Sequence, residues 1–266
     1  VKWVAFYLYA KYKKLVDTKF LIGRGQQKNY VSDELYVQIR EGFEYFEEMM
    51  SSGVIDLRSR MENPTGINKH IERIAKQQGK EEILGPNHTH YVPDDDNLIT
   101  LIIIDHIGRI RRERGFNDRE VLQKMSEYLS IARDRYGFSP VVINQFNRAI
   151  YETSRRTSSA ITLVPEERDF KGAANMFEDA DVAIGMFDPG RYGITKLLGY
   201  DLSRMRDENG NDRFRSIHVL KNNLGMDKFD AALHFVGENG TFAEMPPAET
   251  LNNDKYYSLV NLPSIS

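Results

Sequence analysis

The chain has 266 residues, 36 Lys+Arg against 39 Asp+Glu, 41% hydrophobic and 28% charged residues, which suits a soluble α/β protein of one large domain or two small ones. A formal net charge of −3 excludes a polycation, so any affinity for nucleic acid has to come from local patches. The absence of cysteine excludes disulfides and thiolate–metal sites and fits a reducing cytoplasm, and no apolar run approaches the roughly 20 residues of a membrane span.

Trp3, Val4, Tyr7, Leu8, Leu15 and Val16 recur at helical spacing and predict a helix to about Val16, followed by an irregular basic stretch through Lys28. Ser32 or Asp33 caps a second helix with the apolar face Leu35, Ile39, Phe43, Phe46 and Met50. Residues 54–57 are a short strand candidate. Asn63 and Pro64 open a third helix, a good cap followed by a proline at the first helical position, with the stripe Ile67, Ile71, Ile74 and Gln78. Residues 85–97, with two prolines and three consecutive aspartates, read as a loop.

Leu101-Ile102-Ile103-Ile104-Asp105 is an unbroken apolar run ending in an acid, the pattern of a strand buried on both faces of a parallel sheet. An arginine-dense loop follows, with Arg109, Arg111, Arg112 and Arg114. Asp118 then caps a long helix whose face is Val121, Leu122, Met125, Leu129 and Ala132 and which stops near Gly137. Pro140-Val141-Val142-Ile143-Asn144-Gln145 is a second buried strand with a polar end. A Ser/Thr/Arg-rich segment over 147–160 comes next, then a helix around 170–178 and a strand over 181–187. Strands over 216–220 and 231–236 are followed by an irregular tail beyond Pro246. The alternation predicts one α/β domain over 1–266, a mostly parallel sheet flanked by helices with antiparallel strands at one edge.

Two strand ends carry the chemistry. A carboxylate at the C-terminal end of a parallel strand sits where ligands bind in open α/β sheets, and in nucleoside triphosphatases such an acid holds Mg²⁺ beside the phosphates. An ordinary loop or helix-capping aspartate is the other reading of Asp105. Gln145 ends the next strand after a single helix, so both ends point the same way. Its amide either senses a terminal phosphate or attacking water, or simply satisfies loop backbone groups. His88 and His90 have ligand spacing, but only Asp94, Asp95 and Asp96 lie nearby, which does not make a metal site. His106 either bonds to metal-bound water or packs.

Five segments in order resemble the C-terminal RecA-like ATPase domain of DnaB-type replicative helicases. Residues 67–79 resemble the helix before the Mg²⁺ strand, and 101–106 resemble that strand. Gln145-Phe146-Asn147-Arg148 is similar to the family's Gln-Leu-Asn-Arg turn. Asp169-Phe170-Lys171-Gly172-Ala173-Ala174 with Glu178-Asp179-Ala180-Asp181-Val182 resembles its Asp-Leu-Arg-Gly/Glu-Ser-Gly and Glu-Gln-Asp-Ala-Asp-Val segments. Residues 217–225, with Lys221, resemble its late strand and Lys-x-Arg-x-Gly turn. The resemblance spans nearly the whole chain and is strongest over 98–242.

It implies an ATP-dependent helicase motor, working with ATP and Mg²⁺ as a homo-hexamer on single-stranded DNA, with a primase or helicase loader as further partners and a phage-like source. Asp105 would coordinate Mg²⁺. Gln145 would couple nucleotide state to the loop after it, and Lys221 would reach a neighbouring subunit's γ-phosphate. Arg148, Arg155, Arg156, Lys171 and Gly172 would meet the DNA backbone. Two departures stand out. No Gly-x-x-x-x-Gly-Lys-Ser/Thr occurs in the sequence, so the nest of amides that holds phosphates is expected upstream of Val1, which aligns just after the family's second core strand. Asn223 replaces the family's arginine finger, leaving Lys228 or Arg215 as substitutes, or else a RecA-like subunit that binds single-stranded DNA or a partner ring without hydrolysis.

Overall fold

The computed structural model describes residues 1–23, 31–86, 88–146, 164–170, 174–225 and 228–261. Among them no helix is long and apolar enough to cross a membrane. The first helix, α1 (Lys2–Tyr12), stops short of Val16. Lys13 turns left-handed at φ 56°, and the N–H groups of Lys13 and Lys14 close on the Tyr9 and Leu8 carbonyls, a Schellman-type stop that apolar spacing does not reveal. A short helix, α2 (Thr18–Leu21), precedes α3 (Asp33–Ser51), which starts where Ser32 accepts a hydrogen bond from the Leu35 N–H at 3.2 Å. α1 and α3 enclose a small core of Val4, Leu8 and Val16. Residues 54–57 form no strand. They have no partner strand among the described residues, Val54 and Leu57 are exposed, and Asp56 instead binds Arg58 and Arg73.

α4 (Pro64–Gln78) begins as expected, with Asn63 accepting from the Gly66 N–H at 2.8 Å and Pro64 in the first turn. The loop expected over 85–97 is instead half of an antiparallel hairpin, β1 (Gly79–Gly85) and β2 (His88–Pro93). Tyr91 drives that pairing: it is buried, its hydroxyl donates to the Ala75 carbonyl at 2.9 Å, and its ring meets Tyr136 edge-on at 5.2 Å.

β3 (Leu101–Asp105), α5 (Asp118–Tyr136) and β4 (Ser139–Ile143) form a parallel unit, paired from Leu101↔Ser139 to Asp105↔Ile143. Asn117 rather than Asp118 caps α5, in a reciprocal box with Glu120, and Gly137 ends it at φ 70°. The strands are buried on one face only, a departure from the two-sided burial expected. Ile102, Ile104 and Val142 pack on a core of Ile71, Met125, Leu129 and Phe138, while Leu101 and Ile103 are 59% and 63% exposed and Val141 and Ile143 are exposed with them. The helices α4 and α5 cover one side of this pair, and no described element covers the other.

The second sheet is wholly antiparallel, in the order β10-β9-β8-β5, built from β5 (Val182–Phe187), β8 (Phe214–Asn222), β9 (Asp230–Val236) and β10 (Thr241–Glu244). α6 (Ala174–Asp179) precedes it, and a two-residue pair, β6 (Lys196–Leu197) with β7 (Tyr200–Asp201), lies in the connection. The expected irregular tail contains α7 (Asn253–Val260), capped by Asn252, because Tyr256 and Val260 complete a core with Phe187, Met205 and Phe214. The α/β class therefore holds, with its parallel part confined to one pair of strands among the described residues and its antiparallel part larger than expected.

Candidate functional site

A capping box starts α5 and a left-handed glycine stops it, so the chain crosses from β3 to β4 without slack; the Ser139 N–H donates to the Thr100 carbonyl at 2.9 Å. That crossover aligns Asp105 with Ile143 on the neighbouring strand, and Gln145 follows two residues beyond. Neighbouring strands lie about 4.8 Å apart. The carboxylate and the amide therefore leave the same rim of the same sheet side by side. Both residues are exposed, and among the described residues neither side chain makes a hydrogen bond or ion pair. Two polar groups of opposite hydrogen-bonding capacity are thus held open at the C-terminal rim of a parallel pair.

The loop after β3 is braced rather than loose. The Asp105–His106 peptide bond is cis, and the His106 ring folds back over Gly108, where an added Cβ would lie 3.1 Å from it; His106 packs against its own turn. Ile107 is buried, and the Arg111 N–H donates to the Glu62 carbonyl at 2.9 Å. Glu113 accepts from the Thr65 N–H at 2.8 Å and from Lys124 at 2.5 Å. Those bonds, from Lys124 first and then Thr65, pull its carboxyl down to about 2. Arg112 is engaged with Asp118, whereas Arg109, Arg111 and Arg114 are exposed and form no ion pair among the described residues.

From Gln145 a line of aromatic rings runs across the molecule. Phe146 meets Phe170 edge-on at 5.4 Å, and Phe170 meets Phe177 of α6 at 5.4 Å. Gly185 of β5 lets this line pass, since a Cβ there would lie 3.2 Å from the Phe146 ring and 2.6 Å from Pro165. At the far end the Lys221 ammonium donates to the carbonyls of Phe177 at 3.1 Å and Glu178 at 2.5 Å, closing the last turn of α6. From the other side, Ser126 donates to the Asp179 carboxylate at 2.5 Å and Arg133 to the Asp179 carbonyl at 2.9 Å. α6 is thereby clasped between α5 and β8. Composition and spacing gave no sign of this clasp or of the Glu113 brace; the only trace of the aromatic line is that Phe146 and Phe170 stand inside two of the recognised motifs.

Arg148, Arg155, Arg156, Lys171 and Gly172 lie outside the described residues. The Asn223 N–H donates to the Asp181 carbonyl at 2.8 Å, fixing the turn after β8. Arg215, one candidate substitute for an arginine finger, is committed inside the fold: it pairs with Asp188 at 3.1 Å and lies over the Phe235 ring at 4.6 Å. Lys228 is exposed. Among the described residues no three His, Cys, Asp or Glu side chains converge on one point, so a cation at Asp105 would have a single protein ligand. That fits Mg²⁺, which keeps its waters and takes one or two carboxylates beside phosphate oxygens. The phosphate cradle itself has no counterpart in the sequence.

No family model matches the chain, and no curated protein matches it in sequence. Among solved structures it is similar to the ATPase domain of a DnaB-like phage helicase, with a TM-score of 0.60 and 9% sequence identity, over 92% of this chain and 69% of that one. At that identity the likeness establishes the fold, and the fold is RecA-like α/β.

Proposed function

We propose that the chain is the larger part of the motor domain of an ATP-dependent replicative DNA helicase, one that translocates on single-stranded DNA as a homo-hexamer. The carrying observation is the pairing of Asp105 and Gln145 on one open rim of the parallel strands. The likeness to an ATPase domain of this fold supports it. Asp105 supplies a hard oxygen for Mg²⁺, and Gln145 supplies an amide that can donate to a phosphate oxygen and accept from water. Bound Mg²⁺·ATP would supply the electrophilic phosphorus and the charge that these groups recognise. The chain's own contribution is to fix both groups through the α5 crossover and the braced loop.

In this reading, Gln145 passes nucleotide state through Phe146, Phe170 and Phe177 to α6, which Lys171 and Gly172 precede in sequence. Arg148, Arg155 and Arg156 supply sequence-independent phosphate contacts. Lys221 exchanges the α6 carbonyls for a neighbouring subunit's γ-phosphate. The phosphate loop belongs to a further portion of the domain. The uncovered apolar residues of β3 and β4, together with Val182, Ile184 and Met186 on β5, support this, because parallel strands in α/β proteins are covered on both faces.

The test is ATP turnover. The purified 266-residue chain should neither retain nor hydrolyse ATP, whereas protein from the complete reading frame should hydrolyse it with stimulation by single-stranded DNA. Turnover by the chain alone would refute the assignment of the phosphate loop to another portion. An inert complete protein would favour the non-hydrolysing subunit, the reading to which Asn223 points.

A further inference from the structure

The helix α1 is apolar around its whole circumference. Val4 and Leu8 face the small core, while Trp3 and Phe6, 57% and 50% exposed, face outward. A helix of that kind is stable in water only when a second element covers it. Its outer side and α3 form the walls of a groove of about 790 Å³. The floor is set by Gly42, where an added Cβ would lie 3.1 Å from the Tyr7 ring and 3.2 Å from Val4. Trp3 stacks with Phe46 at 6.0 Å and Tyr7 with Tyr45 at 5.2 Å, so the walls are preformed aromatic surfaces.

The rim is acidic. Glu41, Glu44 and Glu48 line the groove against one cation, Lys11, which is already bound to Glu41. Arg40 holds Glu44 at 3.3 Å, whereas Glu48 and neighbouring Glu47 form no ion pair among the described residues. Both stand in the last turns of α3, which has no basic residue there. Carboxylates at the negative end of a helix dipole are unfavourable until a cation approaches.

We infer that this groove docks an amphipathic helix of a partner protein, with an apolar stripe seated between α1 and α3 and Lys or Arg flanks meeting Glu44, Glu47 and Glu48. Two helices with an open seam between them accept a third by packing its ridge into that seam, and helix-in-groove recognition uses the same geometry. The apolar stripe supplies affinity, and the charges supply choice of partner.

Trp3 is the only tryptophan in the chain, so its emission reports on the groove directly. The chain is titrated with a Trp-free, end-capped Leu/Lys amphipathic helix of about 18 residues, long enough to span about 27 Å. The expected result is a saturable blue shift that weakens with salt. A Leu/Glu helix of the same stripe should bind at least about tenfold more weakly, and Glu44→Lys with Glu48→Lys, both at exposed positions, should invert that preference while leaving the circular dichroism unchanged. Three results would overturn the inference: no saturable shift, equal binding of both peptides, or a shift that tracks protein concentration and self-association without peptide, which would make the occupant a second copy.

Discussion

Asp105 and Glu113 belong to the same stretch of chain, and their surroundings give their carboxylates opposite tasks. Asp105 is exposed and unengaged among the described residues, available to a ligand. Glu113 is largely buried between the start of α4 and Lys124 of α5, with its carboxyl held at about 2 against an ordinary 4.5. A depressed carboxyl stabilises the fold fully above its unfolded value and loses that contribution as the pH falls through the folded one. Glu113→Gln should therefore cost about 1.5–3 kcal/mol at neutral pH. The gap between variant and parent in urea unfolding should narrow by about pH 3, below the unfolded value; a gap independent of pH would mean that Glu113 acts only as a neutral cap. For Lys171, replacement by Ala should weaken single-strand binding and reduce the salt slope by about 0.7, the share of one phosphate contact. An unaltered slope in fluorescence-anisotropy titrations would remove it from the DNA path.

At the scale of elements, the clasp on α6 joins the two sheets. Lys221→Met keeps the bulk of the stem and removes the charged donor, leaving two C-terminal carbonyls uncapped, and should lower stability by about 1–2 kcal/mol in denaturant titration. A loss confined to nucleotide-dependent behaviour, with stability unchanged, would instead favour Lys221 acting only between subunits. Elements with strong local punctuation were legible from sequence: Asn63 with Pro64, the long α5 with its terminal glycine, and the acid and amide at the ends of β3 and β4. Elements set by tertiary contact were not. β2 pairs because Tyr91 reaches Ala75 and Tyr136, and α7 forms because Tyr256 fills a core built from distant strands. Residues 54–57 have strand composition without a neighbour to pair with, so β propensity alone produced no strand.

The molecule as a whole is organised around two cores on opposite sides of α6, one beneath the parallel pair and one inside the antiparallel sheet. The second core is bordered by a buried ionic cluster. Arg213 binds Asp207 at 2.7 Å and also engages Glu238, while the Asn211 N–H donates to Asp207 at 2.8 Å. Removing the cation would strand two carboxylates, so Arg213→Met should cost about 3–5 kcal/mol. Thermal or urea unfolding within 1 kcal/mol, roughly, of the parent would show that water reaches the cluster. The uncovered apolar face was not legible either: the run Leu101-Ile102-Ile103-Ile104 predicts burial on both sides, and the structure buries one. The proposed helicase motor depends most on the rim shared by Asp105 and Gln145. The direct test is single-strand-stimulated ATP hydrolysis by Asp105→Asn in protein from the complete reading frame. Loss of Mg²⁺ charge stabilisation should lower the rate by roughly 10²-fold or more with the circular dichroism spectrum retained, whereas activity equal to the parent would contradict the assignment of that rim as the nucleotide site.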